Sequence, residues 1–316
     1  MNSPTRNVFA LGLFGIPLGL AGMGGGWVGA IALLDAPRWP TEVFYALSAA
    51  LWTAFTVTYL WQGFLRAGRF RDDLTHPATG PFTAFIPAVA ILLSSHYAQY
   101  LPAVGKWATV GFVAILAIIA AQLVAHWLSG SIAMDSLHGG YFVPVVAGPF
   151  IASIGLTTVG LHEAALVIFG AGIFFWLTFG TIVMGRQITG SPLPASVAPA
   201  LSAFLAAPAS AGVAWIISHP GPMDEVQDLL TGVLFIMLFV QLVLINQYRK
   251  LRFGLQFWIF TFPVASTTNY LVRWLAASDF AGWRAWAWSI LGVSTAFVAV
   301  IGIASIVTIV RGRRAE

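Results

Sequence analysis

Charged residues and cysteine are what this sequence has least of. Its 316 residues include 15 Lys or Arg and 11 Asp or Glu, which is 8% of the chain. Soluble domains carry about 25% charged residues, so a soluble fold of this length could not cover its surface. Cysteine is absent, which excludes a disulfide scaffold. The net charge is only +4 and basic residues form no long run, so nucleic-acid binding is not expected.

Long apolar runs are abundant instead, with 59% hydrophobic residues and a mean hydropathy of +0.86. A helix needs about 20 apolar residues to cross a bilayer, whereas barrel strands show alternation. The sequence therefore predicts an all-α integral membrane protein, with residues 1–316 forming a single transmembrane domain. Ten runs qualify: 8–34, 42–65, 81–98, 105–128, 140–160, 162–185, 194–218, 226–247, 253–275 and 284–310. The first is longer than a signal-peptide core of about 7–15 residues, so we expect a span there.

Basic residues are distributed unevenly between the two sets of connections. One set, with the chain ends, carries 11 of them: Arg6, Arg66, Arg69, Arg71, Arg186, Arg249, Lys250, Arg252, Arg311, Arg313 and Arg314. The other set carries Arg38, Lys106, Arg273 and Arg284. The positive-inside rule then predicts that both termini are cytoplasmic. We expect a multi-pass membrane protein with no charged side chain inside the odd-numbered helices.

Proline divides the ten runs into two classes. The odd runs contain it and the even runs do not, the positions being Pro17, Pro87, Pro144, Pro149, Pro199, Pro208 and Pro263. Proline removes a backbone hydrogen bond and clashes with the preceding turn, so it kinks a helix. In lipid such a kink needs neighbours that satisfy the freed carbonyl. We therefore expect five hairpins, each with a kinked inner helix and a straighter outer one.

Glycine forms a stripe in the first run. Six glycines recur at steps of three or four and share one helix face: Gly12, Gly15, Gly19, Gly22, Gly26 and Gly29. The stripe fits close helix packing, but it also fits the wall of a conduit. Because five inner helices are kinked and uncharged, we favour the conduit. The polar run in the ninth helix, from Thr261 to Asn269, either bonds to neighbouring helices or faces a pore.

Catalytic and cofactor-binding patterns are missing. The sequence has no phosphate loop, zinc spacing or nucleophile elbow, and no pair of mid-membrane haem ligands. Coupled carriers usually keep ionisable groups inside the membrane, but His96, His126 and Glu163 lie near the ends of their runs. We therefore expect no cofactor, no metal and no enzymatic activity.

Five short motifs on alternate runs resemble one known family. They are LFGIPLGL at 13–20, FIP at 85–87, VPVVAGPF at 143–150, AP at 207–208 and WIFTFP at 258–263. From about Phe14 to the last run, the chain resembles the tellurite-resistance/dicarboxylate transporter (TDT) family. That family includes bacterial tellurite-resistance proteins and the plant slow anion channels.

The resemblance implies a quasi-fivefold bundle in which the odd helices line a pore in each protomer of a homotrimer. It also implies that Phe262 blocks the pore at mid-membrane, with Gly15 beside its ring. The remaining pore-lining or kink positions that it implies are Phe14, Pro17, Gly19, Pro87, Pro144, Phe150, Pro208 and Pro263.

The expected function is passive conduction of small monovalent anions, such as chloride or nitrate, gated by Phe262. The expected partners are small inorganic anions and the lipid bilayer. Two alternatives stay open. One is a secondary transporter or exporter of C4-dicarboxylate, sulfite or tellurite-related compounds. The other is the membrane anchor subunit of a quinone-linked oxidoreductase, which would bind quinone or haem.

Overall fold

The computed structural model describes residues 9–64 and 68–315, and the regular structure within these ranges is helical. Ten helices of eleven or more residues occur there. In chain order they are α1 (Gly15–Leu34), α2 (Trp39–Phe64), α3 (Phe85–Tyr97), α4 (Pro102–Leu128), α5 (Gly148–Thr158), α6 (His162–Thr189), α7 (Ala203–Ser218), α8 (Glu225–Tyr248), α9 (Thr261–Ser278) and α10 (Trp283–Ala315).

Eight segments of the described chain are long and apolar enough to cross a membrane. The sequence predicted ten, and the two that fall short are α3 and α9. Helix α3 has only 13 residues, and α9 carries the polar run at 266–269. The shortfall follows from irregular backbone and polar composition at these two inner positions.

Each odd helix is preceded by a shorter segment of different geometry. A one-turn helix (Phe9–Gly12) precedes α1, and a π-helix (Val143–Ala147) precedes α5. The others follow 3-10 helices at Gly80–Ala84, Ala198–Ser202 and Leu255–Phe260. Regular α-helix begins two residues before Pro17, Pro87 and Pro263. Proline fits this position because the amide it lacks in the first turn would have no helical partner.

Side chains of the even helices bond to carbonyls in these irregular segments or in the first turn of the odd helix that follows. Ser48 of α2 donates to the Pro17 carbonyl at 2.7 Å, and Trp52 of α2 donates to that of Ile86 at 2.8 Å. Gln241 of α8 donates to the Leu201 carbonyl at 3.2 Å. Such bonds are what a kinked helix requires where water is absent.

The odd helices form the interior of the bundle. Burial covers 67% of α1, 83% of the span that includes α5 and 67% of that with α7, but only 17–22% of the five even helices. Each odd helix packs against the even helix that follows it. The odd helices also touch one another in the closed order α1, α3, α5, α7, α9 and back to α1. They therefore surround a common axis.

The two ends of the bundle differ in charge. We call the end with the connections 35–38, 98–101, 159–161, 219–224 and 279–282 the vestibule end, and the opposite one the basic end. The expectation that no charge lies inside the odd helices is wrong, because Arg273 lies within α9, which continues to Ser278. Of the basic residues that set the predicted orientation, Arg6 and Arg66 lie outside the described residues.

Candidate functional site

A cavity of about 870 Å³ opens at the vestibule end, and we call it the vestibule. All five odd helices line it with their C-terminal halves, through residues such as Ile31, Leu92, Ile154, Val213 and Asn269. The first turns of the even helices α2, α4 and α6 complete its rim. The vestibule is thus centred on the axis that the odd helices share.

Positive charge predominates in the vestibule. Arg38, Lys106 and Arg273 line it together with one carboxylate, that of Glu42. Arg273 is the deepest of the three in sequence register, one helical turn beyond Asn269, whose side-chain oxygen accepts a 3.0 Å bond from its Nε. Among the described residues, the arginine–carboxylate pairs involve other arginines. No carboxylate of the described residues is therefore paired with the Arg273 guanidinium beside the cavity.

The Glu42 carboxylate is held at the rim by two neighbours. The Tyr100 hydroxyl donates to it at 2.9 Å, and His96 Nε2 lies 3.4 Å from its other oxygen. The His96 ring is stacked on Tyr45, with 3.7 Å between centroids. These contacts occupy the carboxylate oxygens, so Glu42 is directed at α3 and its connection rather than at Arg273.

A second, much smaller cavity of about 40 Å³ lies at the other end of the same helices, and we call it the inner cavity. The N-terminal parts of all five odd helices and their preceding segments line it. Its walls are apolar, and include Gly15, Leu18, Ile151, Ala207 and Phe262. Two cavities on one axis, both built by the same five helices, describe an interrupted passage.

Phe262 lies where the passage is interrupted. On α1 the inner cavity reaches Leu18 and the vestibule begins at Gly25, so Gly22 falls between them. A methyl group added at Gly22 would lie 3.1 Å from Phe262 Cδ2. The phenyl ring, 8% exposed, is therefore seated against bare α1 backbone between the two cavities.

Comparison with known proteins identifies the family of this chain. The sequence model of the SLAC1 family, described as voltage-dependent anion channels, matches residues 8–306. The chain belongs to the SLAC1 family. It is therefore a multi-pass membrane protein of a family of anion channels and transporters, not of enzymes.

Curated relatives of this SLAC1-family chain come from bacteria and plants. It is 25% identical to the tellurite resistance protein TehA homolog of Haemophilus influenzae over 82% of this chain and 79% of that protein. It is also 25% identical to the guard cell S-type anion channel SLAC1 of Arabidopsis thaliana, over 94% of this chain and 55% of that protein. The S-type anion channel SLAH2 of the same plant is 24% identical over 74% and 45%. The chain spans about half the length of these plant relatives.

Three of the predicted site residues meet at the inner cavity of this SLAC1-family protein. Gly15, Phe262 and Pro263 all line it. The glycine in contact with the phenyl ring is Gly22, however, while Gly15 lies nearer the Trp258 carbonyl. Gly19 abuts Thr261 on the same helix interface. The glycine stripe therefore agrees with both interpretations of the sequence. It allows α9 to pack closely against α1, and it leaves space along the axis.

Other predicted pore residues point elsewhere. Phe14 packs edge-on against Phe55 of α2, and Phe150 packs against Phe169 and Trp176 of α6. Neither ring lines the vestibule or the inner cavity. Other large rings do line the inner cavity, so the rotation of each inner helix about its own axis decides which of its aromatic side chains faces the passage.

Apart from Pro263, which lines the inner cavity, the predicted prolines are buried in the helices rather than along the passage. Pro17 faces α2 through its carbonyl bond to Ser48. Pro87 and Pro208 are buried and line neither cavity. Pro144 lines a groove at the periphery of the bundle. Proline at these positions sets the shape of the helix, and its neighbours supply the lining.

The polar run of α9 divides between the two alternatives left open by the sequence. Thr268 donates to Ser294 of α10 at 2.6 Å, so it joins two helices. Asn269 lines the vestibule. Positions 262, 266, 269 and 273 follow the 4-3-4 spacing of a single helix face. This spacing is the signal that sequence reasoning missed, since it aligns Arg273 with Phe262.

A buried histidine holds the connections together at the basic end. His138 Nδ1 accepts a bond from the Gly140 amide at 3.1 Å, and Nε2 lies 3.2 Å from the Ala78 carbonyl. The Tyr141 hydroxyl donates to the Pro77 carbonyl at 2.7 Å. Burial lowers the pKa of His138 to about 4, so the ring stays neutral and keeps both bonds at neutral pH.

We expect His138 to make the protein less stable in acid. Its pKa is about 4 when folded and about 6.5 when exposed. The neutral ring therefore makes its full contribution to the free energy of unfolding above pH 6.5. This contribution is lost as the pH falls toward 4, and the loss is about 3 kcal/mol at most. Thermal unfolding is measured in detergent between pH 7 and 4. The melting temperature should fall less with decreasing pH in His138→Gln than in wild type. The exposed His162 provides a control: an equally small fall in His162→Gln would contradict the assignment.

Proposed function

We propose that this protein is a passive anion channel whose pore follows the axis of the odd helices and is gated by Phe262. The observation that carries the proposal is the pair of cavities on that axis, with the phenyl ring between them. The permeant ions are small monovalent anions such as chloride or nitrate. Hydrophobic constrictions gate channels by steric block and by dewetting, and a phenyl ring on an apolar wall provides both.

The proposed architecture has ten membrane crossings, arranged as five hairpins in quasi-fivefold order. The closed ring of odd-helix contacts supports it. Segment length also supports it at α3, where a five-residue 3-10 helix precedes 13 α-helical residues. At about 2.0 and 1.5 Å per residue the two together span about 30 Å, which matches the hydrocarbon core of a bilayer.

Selectivity for anions has a physical basis in the vestibule. The three cations outnumber the one carboxylate, and this excess of positive charge raises the local anion concentration, an effect that salt weakens. Arg273 contributes most, because its charge lies on the same α9 face as Phe262 and lacks a carboxylate partner among the described residues. The inner cavity offers no such charge. Anions that lose water readily should therefore pass it most easily.

The proposed setting is the bacterial inner membrane, with the basic end in the cytoplasm. Arg69, Arg249, Lys250 and Arg252 lie at that end, and basic loops favour the cytoplasmic side. Both termini are then cytoplasmic and the vestibule opens outward. We propose a homotrimer with one pore in each protomer, an assembly that rests on the family resemblance.

A coupled carrier is the second candidate, and the vestibule volume of about 870 Å³ favours it because the space also admits an organic anion. Purified protein in liposomes distinguishes the two. A channel gives currents that reverse at the chloride or nitrate equilibrium potential and do not depend on a proton gradient. Saturable exchange of a C4-dicarboxylate that follows the proton gradient would favour the carrier instead.

Bulk added at Gly15 should narrow the pore. Only the Trp258 carbonyl lies within 4 Å of an added methyl group there, so Gly15→Leu can fold with its side chain in the inner cavity. In a Phe262→Ala background, we expect Gly15→Leu to reduce the anion flux by a factor of roughly five or more. Gly292→Leu on α10, where nothing lies within 4 Å, is the control. Equal flux in both variants would mean that Gly15 serves only helix packing.

A further inference from the structure

The vestibule is lined by hydrogen-bond donors that have no acceptor in the described part of the chain. Arg273 donates through Nε to Asn269 Oδ1 at 3.0 Å. Its two Nη nitrogens, Asn269 Nδ2 and Tyr45 Oη have no hydrogen-bond partner among the described residues, and all three side chains line the cavity. Tyr45 is only 5% exposed. Buried polar groups normally have partners, so this cluster indicates a place for a ligand that carries acceptor atoms.

Tyr45 is held in position by α1 and α3. Its ring is stacked on that of His96, with 3.7 Å between centroids. It also packs against bare α1 backbone, because a methyl carbon added at Gly24 would lie 2.7 Å from the ring atoms Cδ2 and Cε2. The hydroxyl is therefore fixed in place before any ligand arrives, which lowers the entropic cost of binding.

Arg273 is positioned by α1 in a similar way. A methyl carbon added at Gly29 would lie 3.4 Å from each of the guanidinium atoms Cζ, Nε and Nη2. A point at equal distance from these three atoms lies above the face of the planar group, so the guanidinium is stacked flat on the backbone at Gly29. Its Nη edge remains free, and the parallel N–H bonds of that edge match two oxygens of one planar anion.

Gly25 brings the other two donors together. A methyl carbon added there would lie 3.1 Å from Asn269 Nδ2 and 3.7 Å from Tyr45 Oη. Glycine thus leaves open the space between these donors, which we call the notch. Gly25 lies one turn before Gly29 on the same face of α1, and Asn269 touches both the notch and the guanidinium. The notch and the guanidinium therefore form one continuous site.

We propose that the vestibule holds a discrete binding site for a planar monovalent oxyanion, with Arg273, Asn269 and Tyr45 as its donors. A guanidinium fork needs two acceptor atoms in its own plane, which nitrate and a carboxylate group both provide and a halide does not. Only one of the three donor residues is charged, which matches a monoanion. The inference rests on the proposed function, because it assigns the vestibule to the anion pathway.

Binding to the purified full-length protein in detergent tests the site. The transverse relaxation rate of carbon-13-labelled formate is measured as protein is added, with the ionic strength held constant by sodium fluoride. Nitrate or chloride is then added as a competitor. We expect saturable binding of formate, and nitrate should displace it at a roughly fivefold lower concentration than chloride does.

Three site variants separate the fork, the notch and the hydroxyl from charge alone. Arg273→Lys keeps the charge without the fork, Gly25→Ala fills the notch, and Tyr45→Phe removes the hydroxyl but keeps the ring. Each should weaken formate binding roughly fivefold. The matched controls are Gly26→Ala and Tyr97→Phe, which should bind like wild type. The methyl group added at Gly26 makes contacts of 3.5 Å or longer outside the vestibule lining, and the Tyr97 ring lies beside that of Tyr45 but does not line the cavity.

Several results would overturn this site. They are chloride displacing formate as well as nitrate does, formate or nitrate failing to bind, site variants binding like wild type, and controls losing binding equally. The measurement does not involve ion flow, so the site and the channel fail separately. A protein that binds formate but passes no current would keep the site and refute the channel. Anion currents without saturable binding would refute the site alone.

Discussion

Phe262→Ala is expected to raise the anion current roughly tenfold or more, because it removes the ring that separates the vestibule from the inner cavity. The change deletes a side chain seated against Gly22 backbone, and glycine offers nothing that could close the gap. Current should be recorded in oocytes or planar bilayers, with chloride exchanged for nitrate and for a large impermeant anion. The reversal potential should follow the permeant anion.

Phe260→Ala is a matched control for this experiment. Phe260 precedes α9 by one residue, is 8% exposed like Phe262, and packs against Tyr248 instead of the axis. It should leave the current near the wild-type level at equal surface expression. Unchanged current in Phe262→Ala, or an equal increase in both variants, would refute the assignment of the gate.

Arg273→Gln is expected to lower the preference for anions over cations in the open Phe262→Ala channel. A unit charge about 10 Å from a permeating ion contributes on the order of 1 kcal/mol after screening, which is a factor of about five. The loss should be larger at 10 mM than at 500 mM salt, because dilute salt screens less. The measurement is the shift in reversal potential across a salt gradient.

Two further variants separate charge from structure at this position. Arg273→Lys keeps the positive charge and should keep most of the selectivity. Arg284→Gln removes a cation that is paired with Asp35 at 2.8 Å and lies outside the vestibule lining, so it should have little effect. Unaltered selectivity in Arg273→Gln would show that the vestibule charge does not decide which ions pass.

Much of the fold follows from sequence patterns that depend on local physics. Apolar runs such as 105–128 and 284–310 predict α4 and α10 well, since a span needs little more than length and hydrophobicity. The alternation of proline also predicts which helices are inner, because a kink in lipid requires protein neighbours. Ser48, Trp52 and Gln241 supply those neighbours, although nothing in their sequence context names the carbonyls they bind.

Predictions about individual side chains were less successful, for geometric reasons. Phe14 and Phe150 belong to motifs on inner helices, yet their rings pack against α2 and α6. A motif identifies a helix, but the rotation of that helix about its own axis decides which residue faces the pore. Gly15 shares the inner cavity with Phe262, but the glycine against the phenyl ring is Gly22, two turns further along α1.

The scarcity of charge by itself determined that this protein resides in a membrane, and the distribution of charge predicted its orientation. The alternation of proline predicted the division between inner and outer helices. Only the tertiary structure decided that Arg273 belongs to the passage rather than to a connection, since this depends on α9 continuing past it and turning that face to the axis. The axis exists only when five helices meet around it, so no single stretch of sequence could define it.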